Sequence, residues 1–145
     1  VQDLVPVTFH TEQTNFHLKH KLQYKRWINL WIQTKNAVCG DISYVFTSNK
    51  QIKLINQQYL NHNYFTDVIT FDYTEDNLIS GDIFISIDEV RSNAGRFITD
   101  EEDELRRVMI HGVMHLLGYN DSNDEEKDIM RRMENEALHL WPKGV

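Results

Sequence analysis

The alternation of apolar and polar residues along the chain predicts four strands and five helices. Short runs rich in β-branched and aromatic residues predict strands over 5–9, 42–46, 68–71 and 83–87. Apolar residues at helical spacing predict helices over about 16–34, from a cap at Thr47 or Ser48 to Tyr59, and over 88–97, 101–117 and 123–139. The order βαβα-ββ-ααα is typical of an α+β domain, in which helices pack on a small mixed sheet.

Smaller features of the pattern refine this prediction. Pro6 has no N–H to donate to a neighbouring strand, so we expect the first strand at an edge of the sheet. The segment 74–77 suits a turn, and we expect the strands on either side of it to pair as a hairpin. We expect buried helix faces formed by Leu22, Trp27, Leu30 and Trp31 in the first helix and by Ile52, Ile55 and Tyr59 in the second.

Length and composition indicate the broad class of protein. A chain of 145 residues is long enough for one domain, so we expect residues 1–145 to form a single unit. Its one cysteine, Cys39, excludes an internal disulfide and is typical of a reducing cytoplasm. No signal-like segment opens the chain and no apolar run approaches membrane-spanning length. We therefore expect a cytoplasmic protein without a membrane partner.

The formal net charge of −7 argues against a dedicated nucleic-acid binder. The charge is uneven, because basic residues outnumber acidic ones up to residue 60 and acidic residues dominate afterwards. A basic half beside an acidic half can steer a polyanion to one face. On composition alone, scattered surface lysines are the simpler explanation.

Candidate chemistry is concentrated in the apolar stretch 108–117, which contains His111 and His115. Residues four apart on a helix share a face, so both imidazoles can reach one ion. Burying two polar rings without partners costs roughly 1–3 kcal/mol each, which favours a shared metal over two ordinary core histidines. Gly118 is placed to end the helix in a left-handed turn, after which Asp121 can supply a third ligand.

The predicted ligand set is therefore His111, His115 and Asp121, holding one Zn²⁺ per chain. Three protein ligands and one open position are typical of a catalytic zinc site. An alternative is open for Asp121, because it or Ser122 can cap the next helix, and 122–125 forms a capping box. Gly112 stands where zinc peptidases with a His-Glu-x-x-His motif have their general base, which disfavours peptidase activity.

Residues 111–119, His-Gly-Val-Met-His-Leu-Leu-Gly-Tyr, resemble the motif His-Gly-x-x-His-Leu-x-Gly-Tyr-Asp-His of YbeY-type endoribonucleases, which act in bacterial ribosomal RNA maturation. The segments 55–59, 66–71 and 81–86 are similar to other motifs of that family and occur in the same order. The resemblance covers residues from about 40 to 135.

This resemblance implies a four-stranded sheet and a metal site in a cleft between helices and sheet. It also implies a metal-dependent endoribonuclease that cleaves single-stranded RNA in ribosomal RNA maturation and ribosome quality control, with precursor RNA and ribosomal particles as partners. The general base would be Asp67 or Asp82, unless the metal itself supplies hydroxide. Asp82 is equally well explained as a turn residue at the start of a strand.

The chain departs from the family pattern at two positions. Asp121 replaces the third ligand histidine, and Leu60 replaces an arginine thought to contact the scissile phosphate. The second departure favours an alternative function, an RNA- or ribosome-binding assembly factor with a structural metal and little hydrolase activity. A third possibility is a metal-dependent hydrolase of small phosphoesters.

Overall fold

The computed structural model describes residues 5–60 and 66–142, in which strands and helices follow the predicted order. The elements are β1 (Val7–Thr11), α1 (Lys21–Thr34), β2 (Val38–Thr47), α2 (Asn49–Tyr59), β3 (Val68–Asp72), β4 (Leu78–Ser86), α3 (Ile87–Arg96), α4 (Glu101–Leu116) and α5 (Asp124–His139). Three predicted starts were wrong by four or five residues. Helix α1 begins five residues later than predicted, whereas β2 begins four residues earlier, at Val38, and β4 begins five residues earlier, at Leu78. Phe16 packs on Phe46 from an irregular segment, so its apolar character reflects core packing and not a helix.

The four strands form one mixed sheet in the order β1-β2-β4-β3. The pairs β1–β2 and β2–β4 are parallel, whereas β3 and β4 pair antiparallel as a hairpin. The predictions of a mixed sheet, of β1 at an edge and of the hairpin are confirmed. This topology places the start of β3 beside the end of β4, where Val68 pairs with Ile85.

One face of the sheet is covered by α1 and α4, and α5 packs on these helices. The Tyr44 hydroxyl on β2 donates to the Met109 carbonyl of α4 at 3.0 Å. Two indole N–H groups of α1 join the helices, since Trp27 donates to the Ala137 carbonyl at 2.7 Å and Trp31 to the Met114 sulfur at 3.3 Å. Both tryptophans are core anchors, as predicted.

The rest of the predicted α1 face was wrong. Leu22 and Leu30 are each 44% exposed. At about 100° per residue Leu22 lies roughly 180° around α1 from Trp31, and Leu30 lies roughly 100° from it, outside the buried stripe. The buried stripe consists of Tyr24, Trp27, Ile28, Trp31 and Ile32.

The opposite face of the sheet carries α2, whose Ile52 and Ile55 pack against Ile69 of β3. Tyr59 was also predicted to point inward, but it is 63% exposed. It is the last residue of α2, and its ring packs edge to face with Phe71 on the edge strand β3. Among the described residues, no helix combines the length and apolarity needed to cross a membrane.

Candidate metal centre

Helix α4 carries His111 and His115 on one side while its other side packs on the sheet. His111 lines a cleft, and His115 lines a neighbouring groove. The two Nε2 atoms lie 3.0 Å apart. Between the histidines, Gly112 faces β4, where a Cβ atom would come within 2.7 Å of the Ile83 side chain. The peptidase base is therefore absent for a geometric reason, because a side chain at position 112 would meet the sheet and not the cleft.

The turn after α4 returns the chain to the histidines. Gly118 has a left-handed φ of 95°, as its position after the helix predicted. The Gly118 N–H donates to the His115 carbonyl and the Tyr119 N–H to the Met114 carbonyl, both at 3.0 Å. These two bonds are those of a Schellman motif. The chain then places Asp121 Oδ2 3.1 Å from His111 Nε2 and 3.6 Å from His115 Nε2.

The donor set fits a tetrahedral metal ion. Zinc bonds of about 2.0–2.1 Å at tetrahedral angles separate neighbouring ligand atoms by roughly 3.3–3.4 Å. The three separations of 3.0, 3.1 and 3.6 Å lie on either side of that value. Two imidazoles and one carboxylate are also donors that zinc commonly takes in proteins. The three residues can therefore hold one ion with little movement.

Each histidine is oriented by a hydrogen bond at its other ring nitrogen. His111 Nδ1 lies 2.7 Å from the Glu134 carboxylate, and His115 Nδ1 lies 3.1 Å from the Tyr119 carbonyl. Both partners are acceptors, so Nδ1 carries the proton and Nε2 is left for a metal. This arrangement of outer partners is common at metal-binding histidines.

Glu134 was missed in the sequence. It is a buried residue of α5, and its carboxylate lies 3.3 Å from Nη1 of Arg107 on α4. Arg107 also contacts the buried carboxylate of Glu104, at 3.4 Å, so one guanidinium compensates two acidic groups. A signal for Glu134 existed, because it lies at helical spacing between the buried residues Met130 and Ala137.

The surroundings move the pKa values of the two histidines in opposite directions. Burial lowers the pKa of His111, but the hydrogen bond to Glu134 and the charges of Glu134, Asp67 and Asp121 outweigh burial, and the pKa is raised. For His115, burial and then the charge of His111 lower the pKa. In the metal-free protein His115 is therefore the more readily deprotonated of the two histidines.

Asp67 lies just before β3 and lines a cleft of about 300 Å³ together with His111, Asp121 and Glu134. Its backbone carbonyl accepts a hydrogen bond from the Ser86 N–H at 2.9 Å, which ties the residue to the end of β4. Burial raises the pKa of the Asp67 carboxyl, against the opposing effect of His111. The structure thus brings this predicted carboxylate to the candidate centre.

Asp82 is not brought to the cleft. Its neighbour Gly81 faces α4, because a Cβ atom there would come within 2.7 Å of Leu116. Successive side chains of a strand point to opposite faces, so Asp82 faces away from α4. It accepts a hydrogen bond from the Tyr73 hydroxyl at 3.1 Å. The expectation that Asp82 lies near the metal cleft is corrected by this alternation.

The capping alternative for Asp121 and Ser122 does not describe α5. The N-cap is Asn123, whose side-chain oxygen accepts from the Glu126 N–H at 2.8 Å. The Glu126 carboxylate accepts in turn from the Ser122 N–H at 3.0 Å. The N-cap is thus one residue later than predicted, and the return bond of the glutamate goes to the residue before the cap and not to the cap itself. Asp121 is left to face the histidines.

Leu60, which replaces the family arginine, is the C-cap residue of α2. It lines a groove together with Asn56, Thr66 and His115. The structure therefore places position 60 beside the candidate centre. Its apolar side chain contributes no charge there.

Fold and site together define a class of protein: a mixed four-stranded sheet with five helices, in which one helix and the following turn carry a candidate three-ligand metal centre. The family model described as Endoribonuclease YbeY matches residues 7–141. The chain therefore belongs to the YbeY family, as the resemblance of its motifs predicted.

Individual relatives agree with this membership. The Endoribonuclease YbeY of Parabacteroides distasonis is 46% identical over 137 residues, which are 94% of this chain and 96% of the relative. That of Bacteroides fragilis is 43% identical over 134 residues, covering 92% and 96%. The solution structure of TM1509 from Thermotoga maritima is similar with a TM-score of 0.66 and 25% identity, over 92% of this chain and 87% of that one.

Proposed function

We propose that this protein is a zinc-dependent endoribonuclease that cleaves single-stranded RNA in ribosomal RNA maturation and ribosome quality control. Its partners would then be precursor ribosomal RNA and ribosomal particles. The observation that carries the proposal is the convergence of the donor atoms of His111, His115 and Asp121 within 3.6 Å of one another. It is supported by the relatives whose name is Endoribonuclease YbeY.

In this proposal His111, His115 and Asp121 hold the zinc ion, which when bound supplies Lewis acidity and lowers the pKa of water. Glu134 and the Tyr119 carbonyl keep the two imidazoles in the tautomer that leaves Nε2 free to bind the metal. Asp67, in the same cleft, takes the proton from the attacking water as general base. Asp82 has no part in the reaction, because it lies on the other face of the sheet.

The test compares cleavage of precursor ribosomal RNA and of control RNAs by the zinc-loaded protein and by His111→Ala. His139→Ala is the matched control, since His139 is exposed at the end of α5. We expect cleavage and about one zinc per chain in the wild type and the control, and loss of both in His111→Ala. Absent cleavage, or cleavage that persists unchanged in His111→Ala, contradicts the proposal.

The second candidate is an RNA- or ribosome-binding assembly factor with a structural metal, and Leu60 is the observation that favours it. A structural zinc site is closed by four protein ligands. Among the described residues, the candidate group offers three donors, which supports the catalytic alternative. RNA binding without cleavage by fully zinc-loaded protein would favour the assembly factor. Turnover of a model phosphodiester without preference for RNA would instead indicate a small-phosphoester hydrolase.

A further inference from the structure

An aromatic ring lies at the mouth of the metal cleft. Phe97 lines the cleft together with His111 and Asp121, yet 62% of its surface is exposed. The guanidinium of Arg96 lies 5.7 Å from the ring centroid. A large aromatic side chain normally contributes to a core or an interface. Its exposure beside a candidate active site therefore calls for a functional explanation.

The backbone around Phe97 is held in a strained turn. Phe97 is the C-cap residue of α3. The Thr99 N–H donates to the Ala94 carbonyl at 3.0 Å, which is the hydrogen bond of a Schellman motif that spans six residues. The left-handed position of this motif usually holds glycine, but here it holds Ile98, with φ of 51°. Ile98 is also 94% exposed. Strain of this kind persists mainly at functional sites, and it fixes the place from which Phe97 projects.

The opposite wall of the cleft is cationic at its mouth. Lys127 and Arg131 of α5 line the same cleft, and both are exposed. The carboxylates of Glu104 and Glu134 lie deeper, where they are buried and compensated by Arg107. The cleft therefore presents an aromatic ring and two cations outward and the candidate metal donors inward. A stacking ring beside cations is the combination that binds single-stranded nucleic acid.

We propose that Phe97 is a stacking platform for one nucleobase of a single-stranded RNA, with neighbouring phosphates held by Lys127 and Arg131. The inference rests on the proposed function and adds the means by which the substrate is recognised. Bases of a duplex are paired and stacked on one another, so only an unpaired base can reach the ring.

The experiment measures fluorescence anisotropy of a labelled, phosphorothioate-linked RNA of about twelve nucleotides with the zinc-loaded full chain. Phe97→Leu keeps an apolar side chain but removes the stacking surface, and we expect affinity to fall about tenfold or more. Phe97→Trp should bind at least as tightly as the wild type. Tyr73→Leu is the matched control, because Tyr73 is an exposed aromatic residue outside the cleft, and it should leave affinity unchanged.

Two further measurements separate the parts of the inference. Lys127→Gln with Arg131→Gln should flatten the dependence of affinity on salt, whereas Phe97→Leu should leave that slope unchanged, because stacking releases no counterions. Binding of a duplex of the same sequence should be insensitive to Phe97→Leu.

Equal RNA affinity of the wild type and Phe97→Leu, including a failure of both to bind, overturns the inference and points to a protein-binding role for the exposed ring. Cleavage of unmodified RNA is measured separately. Its absence would contradict the proposed nuclease, whereas the stacking platform is judged by the binding data alone.

Discussion

Glu134 offers the sharpest test of how the candidate centre is organised, because it orients His111 without being a ligand. Its buried carboxylate accepts from His111 Nδ1 at 2.7 Å and is 3.3 Å from Arg107. Glu134→Gln keeps the size of the side chain but removes its charge. Loss of such an outer partner typically lowers metal affinity about 10- to 100-fold, or roughly 1.4–2.7 kcal/mol.

The same variant separates metal binding from folding. Glutamine can still accept one hydrogen bond, so Glu134→Gln should unfold less readily than Glu134→Ala. Alanine would leave the His111 Nδ1–H without its acceptor, whereas Arg107 would keep its contact with Glu104. A buried polar group left without a hydrogen-bond partner costs about 1–3 kcal/mol. Zinc affinity is measured by competition with a chromophoric chelator, and stability by thermal and urea unfolding of the metal-free protein. Glu136→Gln, an exposed change on the same helix, is the matched control.

The result that would refute the reasoning is equally specific. Zinc affinity of Glu134→Gln equal to that of Glu136→Gln would mean that the 2.7 Å contact has no part in orienting His111. If both variants bound zinc more weakly than the wild type by the same factor, the cause would be the reduced negative charge of α5 and not the hydrogen bond.

Three other predictions concern the ligand set, the strained turn and pH. Asp121→Ala should lower zinc affinity at least tenfold in chelator competition, and Asp121→His should restore it. The control Asn123→Ala, which removes the N-cap of α5, should lower the free energy of unfolding in urea by about 1 kcal/mol and leave zinc affinity unchanged. Ile98→Gly should raise the free energy of unfolding by about 1–2 kcal/mol, since glycine adopts positive φ without strain; no gain would argue against strain there. Asp67→Asn should raise the melting temperature of the metal-free protein at pH 7, because burial raises the pKa of Asp67 and disfavours its charged form. That difference should vanish below about pH 4, where the carboxyl is protonated in both the folded and the unfolded state.

The candidate ligand set could be predicted from the sequence because its determinants are local. His111 and His115 share a face through helix geometry alone. Gly118 ends the helix through its own backbone freedom, and Asp121 follows within three residues. None of these steps requires knowledge of how distant segments pack. The strand and helix order followed in the same way from short-range apolar patterns.

What the sequence did not reveal depends on packing between segments. Glu134 reaches His111 from another helix, across 23 positions of the chain. Asp82 was expected near the cleft. Strand side chains alternate between the two faces of a sheet, so the face that Asp82 takes depends on which residues of β4 pack against α4. Phe97 went unnoticed because exposure of an aromatic ring at the end of a helix cannot be read from apolar spacing.

The division between local and distant determinants has a consequence for the centre itself. All three candidate ligands come from α4 and the turn after it, so the turn can form before α5 is in place. The group that orients His111 comes from α5, which is tied to α1 by the bond from Trp27 to the Ala137 carbonyl. Metal affinity and the packing of α5 are therefore linked, because whatever holds α5 in place also holds Glu134 against His111, and by reciprocity a bound metal stabilises that packing. The centre is thus a product of the helical layer as a whole, although its ligands occupy one short stretch of sequence.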